Sequence, residues 1–524
     1  MVVLLGQMAF AMMTAVVEQS PTIDEQVYVA AGTVYLDKHD LVFNAEHPPL
    51  GKLFIGIGTA LIHPHLDQSF TGREYSLGAH FLYESGNNPE RLVLFARLPI
   101  VILTLLFGLV VFAFAADLAG PVAGLVAVAL YTFSPDVIAN GSLATNDVPA
   151  AGFLLTSAWL IWRARRRPLR YLPLAGLALG AAVATKMSTL VAVPVAAALT
   201  LLSVWYYFRF VRPPGRRWSS LPIAVLAAAG VVILAFGVVW AAYLAVDPYL
   251  HWNAPYVSAR GLKALVVNWL PAPEPFKAGM RLQFTYEDKS YDGFLFGRRY
   301  HGSPWYYLPA ALLVKTPLGA LALWLAGTAA VIGVRRLRAA APYLLAPPGV
   351  LLGLLLFETR DAGVRYAIVV PVFLAVTAGC AVAIRWRWFR IATVALVAFA
   401  AMSSLRTFPY YLPYSNEAFG GPSKTYLRLR DSNVDWGQDL GRLADRLRAD
   451  YPGQQVWLIY QGGGRPSYYG IDSVNPLTVP PDQVHGLLVV SDTRISLADA
   501  KVTALLDGAT PIGDVGHSIT IFRR

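Results

Sequence analysis

Two adjacent carboxylates, Asp24 and Glu25, stand directly after an apolar run over residues 1–18. A carboxylate at a water–lipid boundary, partly desolvated and beside a like charge, has its proton affinity raised toward the range of a general base. The same pair would also serve as solvated interfacial charges or as the cap of a following helix. Next comes Asn44-Ala45-Glu46-His47-Pro48-Pro49-Leu50-Gly51-Lys52. Paired prolines can open a helix, because its first N–H groups have no partner inside it. A helix N-terminus attracts anions, phosphate above all, and His47 and Lys52 add cationic donors beside it. The plainer alternative is an interfacial helix start with a snorkelling Lys. A third carboxylate, Asp147, closes Ser142-Leu143-Ala144-Thr145-Asn146-Asp147 at the edge of another apolar run, as a second active-site acid or as a helix cap. Lys186, Lys315 and Arg365 are isolated cations at similar edges. Each could snorkel, but together they suit a buried anion such as a lipid phosphate entering sideways from a bilayer. His63-x-His65 has no zinc spacing around it. The chain has no phosphate-binding glycine loop, no Ser-His-Asp order and no nucleotide signature.

The elements that must position these residues are membrane spans. Of 524 residues, 56% are hydrophobic and 14% charged, against about 25% charged in a soluble domain. Mean hydropathy is +0.49. So few charges cannot clothe a soluble protein of this length, which excludes a soluble enzyme, a disordered chain and a nucleic-acid-binding module. The formal charge of +11 comes from 43 Lys and Arg against 32 Asp and Glu. Many Arg cluster in short linkers, as cytoplasmic loops do. The single cysteine, Cys380, allows no intramolecular disulfide.

A span needs about 20 mostly apolar residues. Eleven runs qualify, near 1–18, 94–115, 122–138, 147–162, 171–185, 188–208, 219–245, 317–334, 343–357, 367–384 and 391–407. Four linkers carry arginines and no acid: Arg163, Arg165, Arg166, Arg167 and Arg170; Arg209, Arg212, Arg216 and Arg217; Arg335, Arg336 and Arg338; Arg385, Arg387 and Arg390. With eleven spans and the N-terminus inside, all four become cytoplasmic. The first run lacks a preceding Lys or Arg, so it reads as a retained span rather than a signal peptide. Residues 19–93, 246–303 and 408–524 then lie outside. The last reads as a small α/β domain. Asp435 and Gln438 have capping-box spacing ahead of Leu440, Leu443, Ala444 and Leu447. Gln455–Tyr460, Gly486–Ser491 and Ser518–Phe522 look like strands, with a helical pattern near 497–506. The expected fold is an α-helical polytopic membrane protein over 1–407 with a small extracytoplasmic α/β domain over 408–524.

These motifs together resemble glycosyltransferase family 39, the protein O-mannosyltransferases and, more distantly, the lipid A aminoarabinose transferases, all of the GT-C membrane class. The resemblance rests on Asp24-Glu25, His47-Pro48-Pro49-Leu50-Gly51-Lys52 and Thr145-x-Asp147, joined by Phe294–Gly297, Trp305-Tyr306-Tyr307 with Lys315-Thr316-Pro317, Gly363–Tyr366 and Asp431–Asp439. It implies a polyprenyl-phosphate sugar donor and inverting transfer of a mannose-like hexose to a hydroxyl acceptor outside a plasma membrane. By position, Asp24 would be the base and Glu25 its support, with Asp147 a further acid. His47, Lys52 and Arg365 would steady the leaving phosphate; Lys186 and Lys315 are further candidate donors from their own placement at the apolar edges. Glu46 matches a metal-binding position of the aminoarabinose enzymes, so a divalent cation is the one candidate cofactor. The large insertion of the eukaryotic enzymes in the fourth outer loop is missing, which leaves a protein, glycan or lipid acceptor open. The competing readings are a transporter or flippase of polyprenyl-linked glycans and a non-catalytic membrane scaffold. Membrane lipids are expected partners; nucleic acid is not.

Overall fold

The structure is a computed structural model that describes residues 1–524 except 73, 212–219, 254–258, 260, 362 and 385. Arg212, Arg216, Arg217 and Arg385 of the basic linkers lie outside the described residues. Each of the eleven apolar runs contains a helix. In order these are α1 (Val2–Glu18), Pro89–Ala119, Pro121–Thr132, Asp147–Ala164, Pro168–Thr185, Ala192–Tyr206, Ser220–Val246, Leu318–Gly333, Ala341–Leu355, Val369–Gly379 and Arg387–Thr407. Six helical stretches are long and apolar enough to cross a membrane, and three bent pairs raise the number to nine at most among the described residues. Length and composition therefore support fewer spans than eleven. Breaks at proline separate the six from the nine. Pro121–Thr132 turns by 63° into Pro135–Gly141, and Tyr307–Lys315 turns by 116° across Pro317 into Leu318–Gly333.

Small residues let the helices approach closely, since apolar side chains gain little from pairing in lipid. Gly176 and Gly180 are four apart and face the helix Ser220–Val246. A methyl on Gly176 would meet the Val231 carbonyl oxygen at 3.0 Å, and one on Gly180 the Ala235 carbonyl oxygen at 2.5 Å. Leu226, Ile233, Leu325 and Val394 point outward and are exposed, as lipid-facing positions would be.

The bundle has two chemically distinct ends. At one, Arg163 pairs with Asp117 at 3.3 Å, and Arg165 lies between the rings of Trp162 and Tyr206. The segment between α1 and Pro89–Ala119 packs at the other end. It contains α2 (Ile23–Asp37), bent 91° from α1, then α3 (Pro49–Ala60) and α4 (Glu74–Tyr83). Pro49 is the first residue of α3, as the paired prolines suggested. Helices α2 and α3 cross where a methyl on Gly32 would meet Gly56 N at 2.7 Å.

The segment after Ser220–Val246 holds helices Gly261–Trp269 and Glu274–Glu287 and an antiparallel hairpin of β1 (Asp292–Leu295) and β2 (Arg298–His301).

The tail forms a five-stranded sheet in the order β4-β3-β5-β7-β6. Its strands are β3 (Val456–Ile459), β4 (Ser473–Val474), β5 (Leu487–Ser491), β6 (Thr510–Val515) and β7 (Ile519–Arg523). β3 runs parallel to β4 and β5; β7 is antiparallel to β5 and β6. Side chains alternate along β5. Leu487 and Val489 pack toward helix Leu440–Asp450 and its Leu443 and Leu447. Leu488 and Val490 pack toward helix Ala500–Leu506 and its Val502 and Leu505. The sheet is thus covered on both faces. The expected capping box does not form: the helix begins after Asp439, while Gln438 Oε1 accepts from Trp436 N at 2.8 Å.

Candidate active site

Thr22 caps α2, and Glu25 reaches back to the Thr22 N–H at 2.9 Å in a capping box. This fixes the first turn of α2 and turns Asp24 and Glu25 to different surroundings, because successive helical residues are about 100° apart. The Asp24 carboxylate accepts from Arg365 at 2.7 Å. Arg365 sits on a tight turn, Val364–Ala367, entered through Gly363 at φ +110°. Its guanidinium is also 4.0 Å from Asp147, the first residue of helix Asp147–Ala164. The other oxygen of Asp147 accepts from Lys186, which follows the last residue of Pro168–Thr185. Asp24, Arg365, Asp147 and Lys186 therefore form one chain of alternating charge. The Tyr366 ring lies 4.9 Å from the Lys186 ammonium and 5.1 Å from the Arg365 guanidinium.

This chain opens onto a cavity of about 930 Å³. One part of its wall is polar and carries Glu46, His47, Glu74, Arg360 and Asp431 beside the four charged residues. Another part is apolar, with Leu190, Val193, Phe236, Leu270, Phe284 and Leu351. A cavity with a charged end and a greasy flank suits a ligand that is itself amphipathic.

Burial and the nearby Glu74 and Asp24 raise the proton affinity of Glu46. Asn44 Nδ2 donates to Glu46 at 3.4 Å and to Glu74 at 3.1 Å, linking the two carboxylates. A metal would need more. Among the described residues no three His, Cys, Asp or Glu side chains converge as a ligand set around Glu46. His47 is held well below the usual histidine range, first by burial and then by Lys186 and Lys52. Its Nδ1 has no hydrogen-bond partner among the described residues.

Three of the residues read from the sequence do not line the cavity. Glu25 is enclosed with Arg97 and accepts from it twice at 2.7 Å, and from Ala144 N at 2.8 Å. Lys52 donates to Tyr35 Oη at 2.7 Å and to the carbonyls of Asn44 and His47 at 2.6 and 2.8 Å. It pins the Asn44–His47 loop from behind. Lys315 donates to the carbonyls of Leu412 and Asn433 at 2.5 and 2.9 Å, and lies 3.6 Å from Asp136. It ties the segment after Arg387–Thr407 to the bundle. The sequence reading missed Arg97, Arg360 and Trp436. Arg97 left a signal, being a lone cation inside an apolar run. Trp436 left none beyond its place in the Asp431–Asp439 motif.

Residues 3–256, just under half of the chain, match the family described as PMT, dolichyl-phosphate-mannose-protein mannosyltransferase. The whole chain shares a fold with ArnT from Cupriavidus metallidurans bound to undecaprenyl phosphate: TM-score 0.50 and 13% identity over 99% of this chain and 97% of that one. The first half of the chain is thus similar to that family, and the whole chain has the fold of ArnT. The resemblance read from Asp24 to Lys52 and at Thr145-x-Asp147 is borne out by that match, as is a helical membrane body with a small α/β tail. The apo form of the same ArnT gives a TM-score of 0.48 at 14% identity, over 99% and 97% of the two chains. The protein O-mannosyltransferase Pmt1-Pmt2 complex of S. cerevisiae, bound to the sugar donor, gives 0.37 at 14% identity over 48% of this chain and 34% of that one. Only the first of these likenesses bears on the fold. No curated protein matches the chain.

Proposed function

We propose that this GT-C enzyme takes a sugar from a polyprenyl-phosphate donor and transfers it, with inversion, to a hydroxyl acceptor outside the membrane. The observation that carries the reading is the Asp24–Arg365–Asp147–Lys186 chain at the head of a cavity with an apolar flank. The fold relative with undecaprenyl phosphate bound supports the donor class, and the family match supports a mannose-like hexose. With no donor present, two cations are paired with two carboxylates. An incoming phosphate competes for Lys186 and Arg365 as a charge-assisted acceptor, which loosens Asp24 from Arg365. Asp24 then accepts the proton of the acceptor hydroxyl as its oxygen attacks the anomeric carbon. The sugar–phosphate bond breaks on the opposite side, and the two cations stabilise the charge that develops on the departing phosphate. Glu46 and His47 offer hydrogen bonds to the sugar. In this scheme residues 1–407 carry the chemistry and 408–524 form an extracytoplasmic domain, with the arginine-bearing end of the bundle facing the cytoplasm.

The test offers the purified chain a set of polyprenyl-phosphate hexoses with peptide, glycan and lipid hydroxyl acceptors. The expected result is release of polyprenyl phosphate and a product of inverted anomeric configuration. A retained configuration, or no release with any donor, contradicts the reading.

A further inference from the structure

The segment between the last long helix and the tail sheet touches both members of the Asp24–Arg365 pair. On the Asp24 side, the carbonyl of Trp436 accepts from Ile23 N at 3.1 Å, and that of Gln438 accepts from Ser20 N at 2.9 Å. These bonds hold the chain entering α2, and Ile23 immediately precedes Asp24. On the Arg365 side, Asn433 Oδ1 accepts from Val364 N at 2.9 Å, one residue before Arg365. The Trp436 ring lies against the Arg365 guanidinium, with the guanidinium carbon 4.1 Å from the ring centroid. Trp436 is 2% exposed, so water does not weaken that contact. The segment is itself fixed: Asn433 Nδ2 donates to Tyr307 Oη at 3.0 Å, and Lys315 donates to the Asn433 carbonyl. The fit is tight, because a methyl on Gly363 would collide with the Ser432 side chain.

We propose that Asn433 and Trp436 are positioning residues: Trp436 holds the Asp24 backbone and the Arg365 guanidinium in register, while Asn433 fixes the turn that carries Arg365. The proposal rests on the donor-binding reading above. A fixed guanidinium is what a bidentate phosphate clamp requires, since Arg is otherwise a long and mobile side chain. An aromatic face supplies that restraint without taking up the guanidinium N–H groups meant for the phosphate oxygens, and indole is the strongest such face. The segment is therefore a wall of the active site. The sequence after Arg387–Thr407 contributes to donor binding although every charged residue of the Asp24–Arg365–Asp147–Lys186 chain precedes it.

The test is a double-substitution cycle on the full chain, read by binding of a polyprenyl phosphate so that no chemistry is involved. Trp436→Leu should weaken binding about tenfold, the scale of a desolvated cation–aromatic contact. In an Arg365→Gln background, where Lys186 still binds phosphate, Trp436→Leu should have no further effect. Equal weakening in both backgrounds would show general damage and overturn the clamp, and so would wild-type binding by Trp436→Leu. If that variant does not fold, Trp436→Tyr and Trp436→Phe replace it. Binding should then fall in the order Trp, Tyr, Phe with Arg365 present and show no order with Arg365→Gln. The same order in both backgrounds overturns the proposal. If the wild-type chain binds no polyprenyl phosphate, the donor reading fails and the clamp fails with it. Wild-type binding with additive variants removes the clamp alone.

Discussion

Glu25 and Arg97 meet through two hydrogen bonds of 2.7 Å, and neither side chain is exposed to solvent. Its neighbour Asp24 faces the cavity and Arg365 instead. Two adjacent carboxylates thus sit in opposite settings, one locked inside the protein and one open to a ligand.

The first prediction concerns stability. Removing one partner of a buried ion pair leaves an uncompensated charge, at a cost of about 3–5 kcal/mol. Arg97→Met should therefore lower the melting temperature of the purified protein sharply. Glu25→Gln should also melt early, because it strands Arg97. Asp24→Asn should melt close to wild type, since its partner Arg365 still has Asp147 within 4.0 Å. Wild-type melting of Arg97→Met would mean that the pair does not hold α2.

A second prediction separates the cations. Lys186 and Arg365 line the cavity, whereas Lys315 does not. Lys186→Met and Arg365→Ala should raise the donor KM by roughly tenfold or more, since charged hydrogen bonds are worth about 1.5–3 kcal/mol each. Lys315→Met should leave donor KM within a few-fold and lower thermal stability, because Asp136 loses its cation. Steady-state kinetics with a polyprenyl-phosphate sugar decide it. A large KM change for Lys315→Met alone would reverse the assignment.

The tail should respond to pH through Asp492. Burial pushes its carboxyl up to about 7, opposed by a hydrogen bond from Thr520 at 2.6 Å. The folded state then holds a proton that the unfolded chain releases near pH 4. This contribution to stability is fully present below about pH 4 and is lost as pH rises toward 7, on the order of 4 kcal/mol in all. Asp492→Asn stays neutral and still accepts from Thr520, so it should flatten that part of the melting-temperature profile. An unchanged slope between pH 4 and 7 would assign the proton elsewhere.

Topology is the fourth prediction. A reporter fused after Arg524 should read as outside the cytoplasm. A cytoplasmic signal would put the cavity on the face where the proposed acceptor is not.

The helices were legible because hydrophobic runs and lone charges are local signals. Asp24, Asp147 and Lys186 stand at helix ends where an apolar run stops, and those ends are where the site assembles. The pairings were not legible. Nothing near Glu25 in sequence announces Arg97, and nothing near Lys315 announces Asn433, because both contacts join segments far apart along the chain. Lys52 looked like a phosphate donor from its place after Pro48-Pro49, yet Tyr35 and the Asn44 and His47 carbonyls take up its hydrogen bonds. In the tail, β5 was readable from its apolar run. β6 was missed because Pro511 and Gly513 sit in an exposed outer strand, the kind of position that tolerates them.

The most direct test of the central claim is the transfer rate of Asp24→Asn on a purified polyprenyl-phosphate sugar, measured beside its binding of polyprenyl phosphate. Asn has nearly the same volume but cannot take the acceptor's proton. The account predicts a fall in transfer of about 10²–10⁴-fold, with polyprenyl phosphate bound at least as well as by wild type, since Arg365 is released from its carboxylate. A wild-type transfer rate in Asp24→Asn would contradict it and move the base to another carboxylate, Asp147 first.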